Sequence, residues 1–234
     1  MLRQWIEGLK AATPGQCAVC HAWPAQPVCE DCVARFAQPQ PRCATCALPV
    51  PRGVAQCGQC VRSPPALDKC FAAVPYAYPW SGLVAQFKFR NQPGWAQALA
   101  TLMRSAPWIE PALEQADLVL PMPLAPARLA ERGFNQALEL ARHLAPAKVR
   151  PSLLLRVRNT PAQSALDRAA RLANMKNAFA VEPLRAGAVR GRHIALVDDV
   201  MTSGASLFSA AGALRQAGAA KVTAVVLART DQPG

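Results

Sequence analysis

The chain predicts an α/β protein: a parallel sheet flanked by helices, preceded by a small cysteine-rich metal module. Three observations in its 234 residues carry that expectation. Four Cys-x-x-Cys pairs crowd the segment from Cys17 to Cys60. Beyond them, apolar runs of strand length alternate with segments of helical periodicity. Late in the chain, Ile194-Ala195-Leu196-Val197 passes through Asp198-Asp199 into Thr202-Ser203-Gly204-Ala205-Ser206. The helix-like segment Leu207–Leu214 follows at once.

Taken in order, Leu2, Trp5, Ile6 and Leu9 mark one face of an amphipathic helix over residues 1–14, with Glu7 and Lys10 opposite. There is no secretory signal pattern, and no apolar run approaches the roughly 20 residues of a membrane span. No membrane span and a cytoplasmic location are therefore expected.

Residues 15–65 form the cysteine module. A two-residue gap turns both thiolates of a knuckle toward one tetrahedral ion, and two knuckles complete a four-thiolate site. Sequential pairing assigns Cys17, Cys20, Cys29 and Cys32 to one structural Zn2+, and Cys43, Cys46, Cys57 and Cys60 to another, as in a double zinc ribbon. Disulfides and redox dithiols are the competing readings. Pro24, Pro27, Pro39, Pro41, Pro49 and Pro51 lie between the knuckles, with few large apolar residues to make a core. Metal would then supply the folding free energy, roughly 10–16 kcal/mol per structural site. A site closed by four thiolates has no position for water, which disfavours a catalytic zinc. His21 reads as a bystander and Cys70 as a buried strand cysteine.

Ser63-Pro64-Pro65 marks the boundary to a third segment, residues 66–234. Cys70–Tyr78 reads as an edge strand because Pro75 interrupts it. Residues 82–89 and 95–103 read as helices, and Asp117–Pro121 as a strand ending in a proline-rich turn. A helix is expected over 133–144, with Phe134, Leu138 and Ala141 at core spacing. A further strand is expected over 153–157, and a basic helix over 163–176. His193–Val197 and Val222–Leu227 are the clearest strands, joined by a helix over 203–216 that Gly218 closes. That spacing implies a parallel crossover.

The chain carries a formal charge of +12, mostly from arginine. Thirteen basic against four acidic residues fall between Arg128 and Arg192, a field that favours phosphorylated metabolites, nucleotides or nucleic acid. An arginine-rich, solubilising surface is the blander alternative. In an open α/β sheet, ligands bind beyond the carboxyl ends of the strands. One such end offers Asp198 and Asp199 as acceptors for a sugar diol, with a hydroxyl-rich loop and helix N-terminus for a phosphate. The other, Pro121-Met122-Pro123-Leu124 followed by Arg128, Arg132, Gly133, Phe134, Asn135 and Gln136, could hold a second anionic group. A third basic segment, Arg156–Arg171, reads as a mobile cover or an ordinary surface helix. Phosphate, diol and pyrophosphate in line describe phosphoribosyl pyrophosphate.

The acidic pair with Thr202–Ser206 resembles the ribose-phosphate loop of the type I phosphoribosyltransferases. The complete layout, including Phe87-Lys88-Phe89-Arg90 and Arg132-Gly133-Phe134-Asn135-Gln136, is similar to the ComF family. The resemblance implies a phosphoribosyltransferase fold acting with Mg2+, linked in some bacteria to uptake or use of external DNA. It assigns Asp198 and Asp199 to the ribose hydroxyls and an oxocarbenium-like transition state. Thr202, Ser203, Gly204, Ala205 and Ser206 would hold the 5′-phosphate, and Arg128 and Arg132 the pyrophosphate charge. Lys88, Asn135 and Gln136 would contact substrate. The family's loop usually ends in Thr where this chain has Ser206, which keeps the hydroxyl.

Plainer readings stand beside these. Asp198-Asp199 could cap a turn, Arg128 and Arg132 could pair with Glu131 or Glu139 on a solvated helix face, and Trp80, Trp95 and Phe89 fit a core. The acceptor is not legible. The alternatives to catalysis are a single-stranded-DNA-binding competence protein on the same fold and a zinc-ribbon scaffold for a partner such as a competence helicase.

Overall fold

In the computed structural model, which describes residues 15–90, 92–157 and 177–231, the chain forms two compact units that divide between Gln38 and Pro39. The first unit holds the first cysteine cluster and a short helix, Glu30–Phe36 (α1). Glu30 and Asp31 in its first turn and Arg35 in its last complement the helix dipole. Among the described residues of this unit, the buried apolar side chains are Cys17 and Cys32. So little core cannot offset the entropy of ordering the segment, and the cluster must do so.

The second unit opens with the second cysteine cluster, which includes Gly58–Arg62 (α2), and runs on into the sheet. Four parallel strands make that sheet: Lys69–Pro75 (β1), Leu118–Pro121 (β2), His193–Met201 and Lys221–Arg229, which become β5 and β6 below. Their order is β1-β6-β5-β2, so the proline-ended β1 does lie at an edge. The central β6 is buried at eight of its nine positions. A strand rich in Val, Ala and Leu is what burial on both faces favours, with Thr223 and Arg229 as its buried polar positions.

Helices Trp80–Phe89 (α3), Trp95–Arg104 (α4) and Ile109–Glu114 (α5) follow β1. In α4 the buried Ala96, Leu99, Ala100 and Met103 repeat at helical spacing, which docks that face on the sheet. Sequence patterning does not predict α5, whose six residues are too few for a period. Lys148 stabilises its end by donating to the carbonyls of Leu113, Glu114 and Ala116 at 2.7–3.0 Å.

The helix expected over 133–144 is present as Gln136–Leu144 (α7), and an unexpected helix, Pro126–Arg132 (α6), precedes it. Gly133 adopts φ 73°, which ends α6 in a left-handed turn. Asn135 then starts α7 by accepting from the Leu138 amide at 3.2 Å. The α7 core face is Ala137, Leu140, Ala141 and Leu144, while Phe134 and Leu138 are half-buried. The proline-rich turn after Pro121 therefore leads into a helix with Pro126 in its first turn.

A two-stranded antiparallel ribbon, Leu154–Arg156 (β3) with Phe179–Val181 (β4), lies outside the main sheet. Finally β5 continues through Asp198-Asp199 to Met201, and Ala205–Gln216 (α8) returns the chain to β6. The expected parallel crossover is present. No helix among the described residues is long and apolar enough to cross a membrane. The expected helices over 1–14 and 163–176 lie outside the described residues, as does Asn91.

Candidate functional site

Both expected cysteine sets come together. Within each set the sulfurs lie within 4.8 Å of one another. Sulfur pairs are 3.8 Å apart for Cys17–Cys32, 3.6 Å for Cys20–Cys29 and 3.7 Å for Cys46–Cys57. Tetrahedral coordination with Zn–S bonds of about 2.3 Å requires S–S separations of about 3.8 Å. The residues fit a structural zinc. Backbone geometry prepares them too. Burial raises the Cys17 thiol, but the amides of Cys20, Cys29 and Val19 outweigh it and bring the pKa down to about 6. Cys43 reaches about 7 by the same balance, with the amides of Cys57, Cys46 and Thr45. Burial and neighbouring thiolates push Cys32 and Cys60 upward, a repulsion that a dication would relieve. His21 is exposed and outside both sets, as expected.

The second constellation lies at the carboxyl end of the sheet. Three chain segments meet there. From α3, the Lys88 ammonium contacts Asp199 Oδ1 at 2.8 Å, with side chains 16% and 8% exposed. From the 122–136 segment, the Phe134 ring meets Phe87 at a centroid distance of 5.4 Å. Asn135 Nδ2 donates to the Met122 carbonyl at 3.0 Å. Both ends of the Asn135 amide thus brace backbone. Arg132 stacks its guanidinium over Phe89 at 5.3 Å and donates to Gln136 Oε1 at 3.0 Å. Gln136 is buried, and its Nε2 has no hydrogen-bond partner among the described residues. A buried donor of this kind is costly unless a ligand oxygen or water meets it. Trp80 is core, as its apolar bulk suggested, but Phe89 is 67% exposed beneath Arg132.

Neighbouring side chains on a strand point to opposite faces, so the two carboxylates of β5 meet different surroundings. Asp199 turns to Lys88. Asp198 lies within electrostatic reach of Arg156, which in turn feels Arg128. Arg156, on β3, is a site residue that sequence reasoning placed only within a basic cover. Burial, and then the Asp199 carboxylate, push Asp198 up to about 7, against the pull of Lys88. Because this folded value lies above the ordinary 3.8, ionisation of Asp198 opposes folding. The Asp198 contribution to stability should be neutral below about pH 4, grow unfavourable as pH rises to about 7, and stay so beyond it. Asp198→Asn should remove that unfavourable contribution, raising stability at pH 8 by up to about 4 kcal/mol and leaving it nearly unchanged at pH 4. Denaturant unfolding at the two pH values measures it.

The loop after β5 turns directly into the N-terminus of α8. Ser203 is buried and its Oγ accepts from the Ala205 amide at 3.4 Å, while Thr202 is exposed and Ser206 half-buried. Gly204 adopts φ 83°, and α8 begins at the next residue. A β-carbon at Gly204 would come within 2.6 Å of the Met201 methyl and 2.7 Å of the Phe208 ring. Gly204→Ala should therefore distort the loop and weaken anion binding by about tenfold, in keeping with strain of 1–3 kcal/mol. Calorimetry with a phosphorylated ligand, beside an unfolding curve, measures both effects.

A phosphoribosyl transferase domain family matches residues 129–233. DNA utilization protein YhgH of Salmonella typhimurium is 33% identical over 226 residues, covering 93% of this chain and 98% of that protein. The protein of the same name from Escherichia coli K12 is 31% identical over 231 residues, with the same coverage. Competence protein F of Haemophilus influenzae is 33% identical over 195 residues, 81% of this chain and 85% of that protein. Among solved structures, the allosteric regulatory enzyme of purine biosynthesis is a distant likeness. It has a TM-score of 0.32 and 20% identity over 56% of this chain, which spans 25% of that one.

Proposed function

This chain belongs to the ComF family, which includes competence protein F and DNA utilization protein YhgH, and from that membership we propose a phosphoribosyltransferase. It would bind phosphoribosyl pyrophosphate with Mg2+ and transfer ribose 5-phosphate to an acceptor. One observation carries this reading: the Lys88–Asp199 contact of 2.8 Å at the strand end that leads into the Gly204 loop. A salt bridge there orients one carboxylate beside the loop that runs into the α8 N-terminus.

In the proposed reaction the bond from ribose C1 to the pyrophosphate oxygen breaks, and its electron pair leaves on pyrophosphate. A bond from the acceptor nucleophile to C1 forms, and the nucleophile's proton passes to solvent. Asp198 and Asp199 accept hydrogen bonds from the ribose hydroxyls and stabilise positive charge developing at C1. The amides and hydroxyls of residues 202–206 hold the 5′-phosphate, and the α8 N-terminus favours its charge. Arg128 and Arg132 face the leaving group, with Arg156 beside Arg128 and Gln136 Nε2 as a spare donor. The acidic pair exceeds the charge that Lys88 neutralises, which suits a dication. Mg2+, bound with substrate, supplies charge neutralisation at the leaving pyrophosphate. Catalysis on this account is positioning and electrostatics.

The test is pyrophosphate release from phosphoribosyl pyrophosphate and Mg2+ across a panel of amine and base acceptors. Acceptor-dependent release supports transfer, whereas binding without release for any acceptor would leave only a ligand-binding fold. The +12 charge and the names of the relatives favour a second reading, single-stranded DNA binding, with a helicase or other protein partner at the cysteine module. Several phosphate contacts predict a steep loss of affinity with salt in a mobility assay. No binding at low salt would reject this reading.

A further inference from the structure

The last residue of β6 is an arginine with no exposed surface. Among the described residues, Arg229 makes no ion pair. Instead its Nε donates to the Cys46 carbonyl at 2.8 Å, and its Nη1 to the Met201 carbonyl at 3.2 Å. Nη1 also donates to the carbonyl and hydroxyl of Thr230 at 2.8 and 3.0 Å. A buried guanidinium held by carbonyls from two separate segments is a tie between them. Here the segments are the Cys43–Cys46 knuckle and the end of β5.

The tie continues toward the loop. Met201 pairs with Arg229 in the parallel register. Its sulfur lies 3.5 Å from the Cys70 thiol, and the Cys70 amide donates to Ala44 of the same knuckle at 2.9 Å. The Met201 methyl and the Phe208 ring together leave no room for a β-carbon at Gly204. The knuckle therefore reaches the anion loop through two packed routes: Cys46 to Arg229 to Met201, and Ala44 to Cys70 to Met201. A contiguous packed path with few alternatives is the kind of network that carries coupling.

We propose that the Cys43/Cys46/Cys57/Cys60 metal site presets the Thr202–Ser206 loop, with Arg229 as the positioning residue that transmits it. The proposal rests on the reading of this loop as a phosphate cradle. With metal bound, the Cys46 carbonyl is fixed, and Arg229 and Met201 hold the loop in its binding shape. When the metal is lost the loop opens locally while the sheet persists, so the protein's affinity for a phosphorylated ligand follows its metal content. The Cys17–Cys32 cluster belongs to the other compact unit and serves as the internal comparison.

Amide hydrogen exchange tests this without reference to activity, because local opening is read residue by residue. Arg229→Lys keeps the charge but cannot span the Cys46 and Met201 carbonyls. Cys46→Ser removes a ligand, and Cys20→Ser is the comparison for metal loss at the other site. Each variant is assayed for bound zinc, exchange at residues 203–207, and phosphoribosyl pyrophosphate affinity. Arg229→Lys, with both metals retained, should exchange at least about tenfold faster across 203–207, while Leu196 and Val225 in the central strands are unchanged. Cys46→Ser should do the same and Cys20→Ser should not. Ligand affinity should fall about tenfold in the first two variants. Unchanged loop exchange in Arg229→Lys overturns the proposal, and so does equal loosening of loop and central strands. Should Cys46→Ser fail to fold, Arg229→Lys decides alone. If the wild type binds no phosphoribosyl pyrophosphate, the phosphate reading fails, and exchange still decides the coupling.

Discussion

Asp199→Asn should lower phosphoribosyl transfer about a thousandfold while the protein remains folded. Loss of one preorganised charge at a developing cation typically costs about two to three orders of magnitude. Here the substitution also strands Lys88, whose side chain is only 16% exposed. Breaking a partly buried pair by removing one partner destabilises, so a lower melting temperature is expected as well. Lys88→Met distinguishes the two parts. It keeps both carboxylates but removes the cation that pulls Asp198 down, so the pH dependence of turnover should move upward. Steady-state pyrophosphate release over a pH series, beside thermal unfolding, measures all of this. Wild-type turnover in Asp199→Asn would end the enzymatic account.

Removing zinc should have the largest effect on stability, and an uneven one. The first unit has two buried cysteines as its apolar interior among the described residues, so a bound metal would supply most of its folding free energy, roughly 10–16 kcal/mol. A strong chelator should therefore unfold residues 15–38 outright, seen as proteolysis confined to that segment. The second cluster shares a core with Leu67, Cys70, Leu120 and the strands of the sheet. Its loss should lower the melting temperature of the rest but leave the sheet intact. Chelation should also become easier at lower pH, since thiolate ligands must be deprotonated to bind. Simultaneous unfolding of both units on chelation would contradict this division.

How much of this was legible in the sequence depended on periodicity. The cysteine sets were readable because four two-residue gaps in close succession favour four-thiolate sites, and both came together as paired. The strands at 193–197 and 222–227 were readable from their apolar runs, whereas the extension of β5 through the two carboxylates to Met201 was not. Helix Ile109–Glu114 and strand Phe179–Val181 are too short to repeat a pattern, and tertiary contacts decide them. Helix Pro126–Arg132 was hidden by the prolines before it, and the left-handed turn at Gly133 moves the start of the next helix to Gln136. Of the candidate site, Asp198, Asp199 and the glycine loop could be named from their order alone. The Lys88–Asp199 contact joins residues 111 positions apart, and the role of Arg156 comes from a ribbon outside the main sheet. Arg229 gave no signal at all, because one arginine at the end of an apolar strand reads as a solvated terminus.

The most direct test of the central claim is a calorimetric titration of the zinc-loaded protein with phosphoribosyl pyrophosphate and Mg2+, followed by the same titration of Asp199→Asn and Gly204→Ala. The wild type should bind one equivalent saturably, with each variant weakened about tenfold or more, a loss of at least about 1.4 kcal/mol. Absence of binding to the wild type, or equal binding by all three proteins, would contradict it.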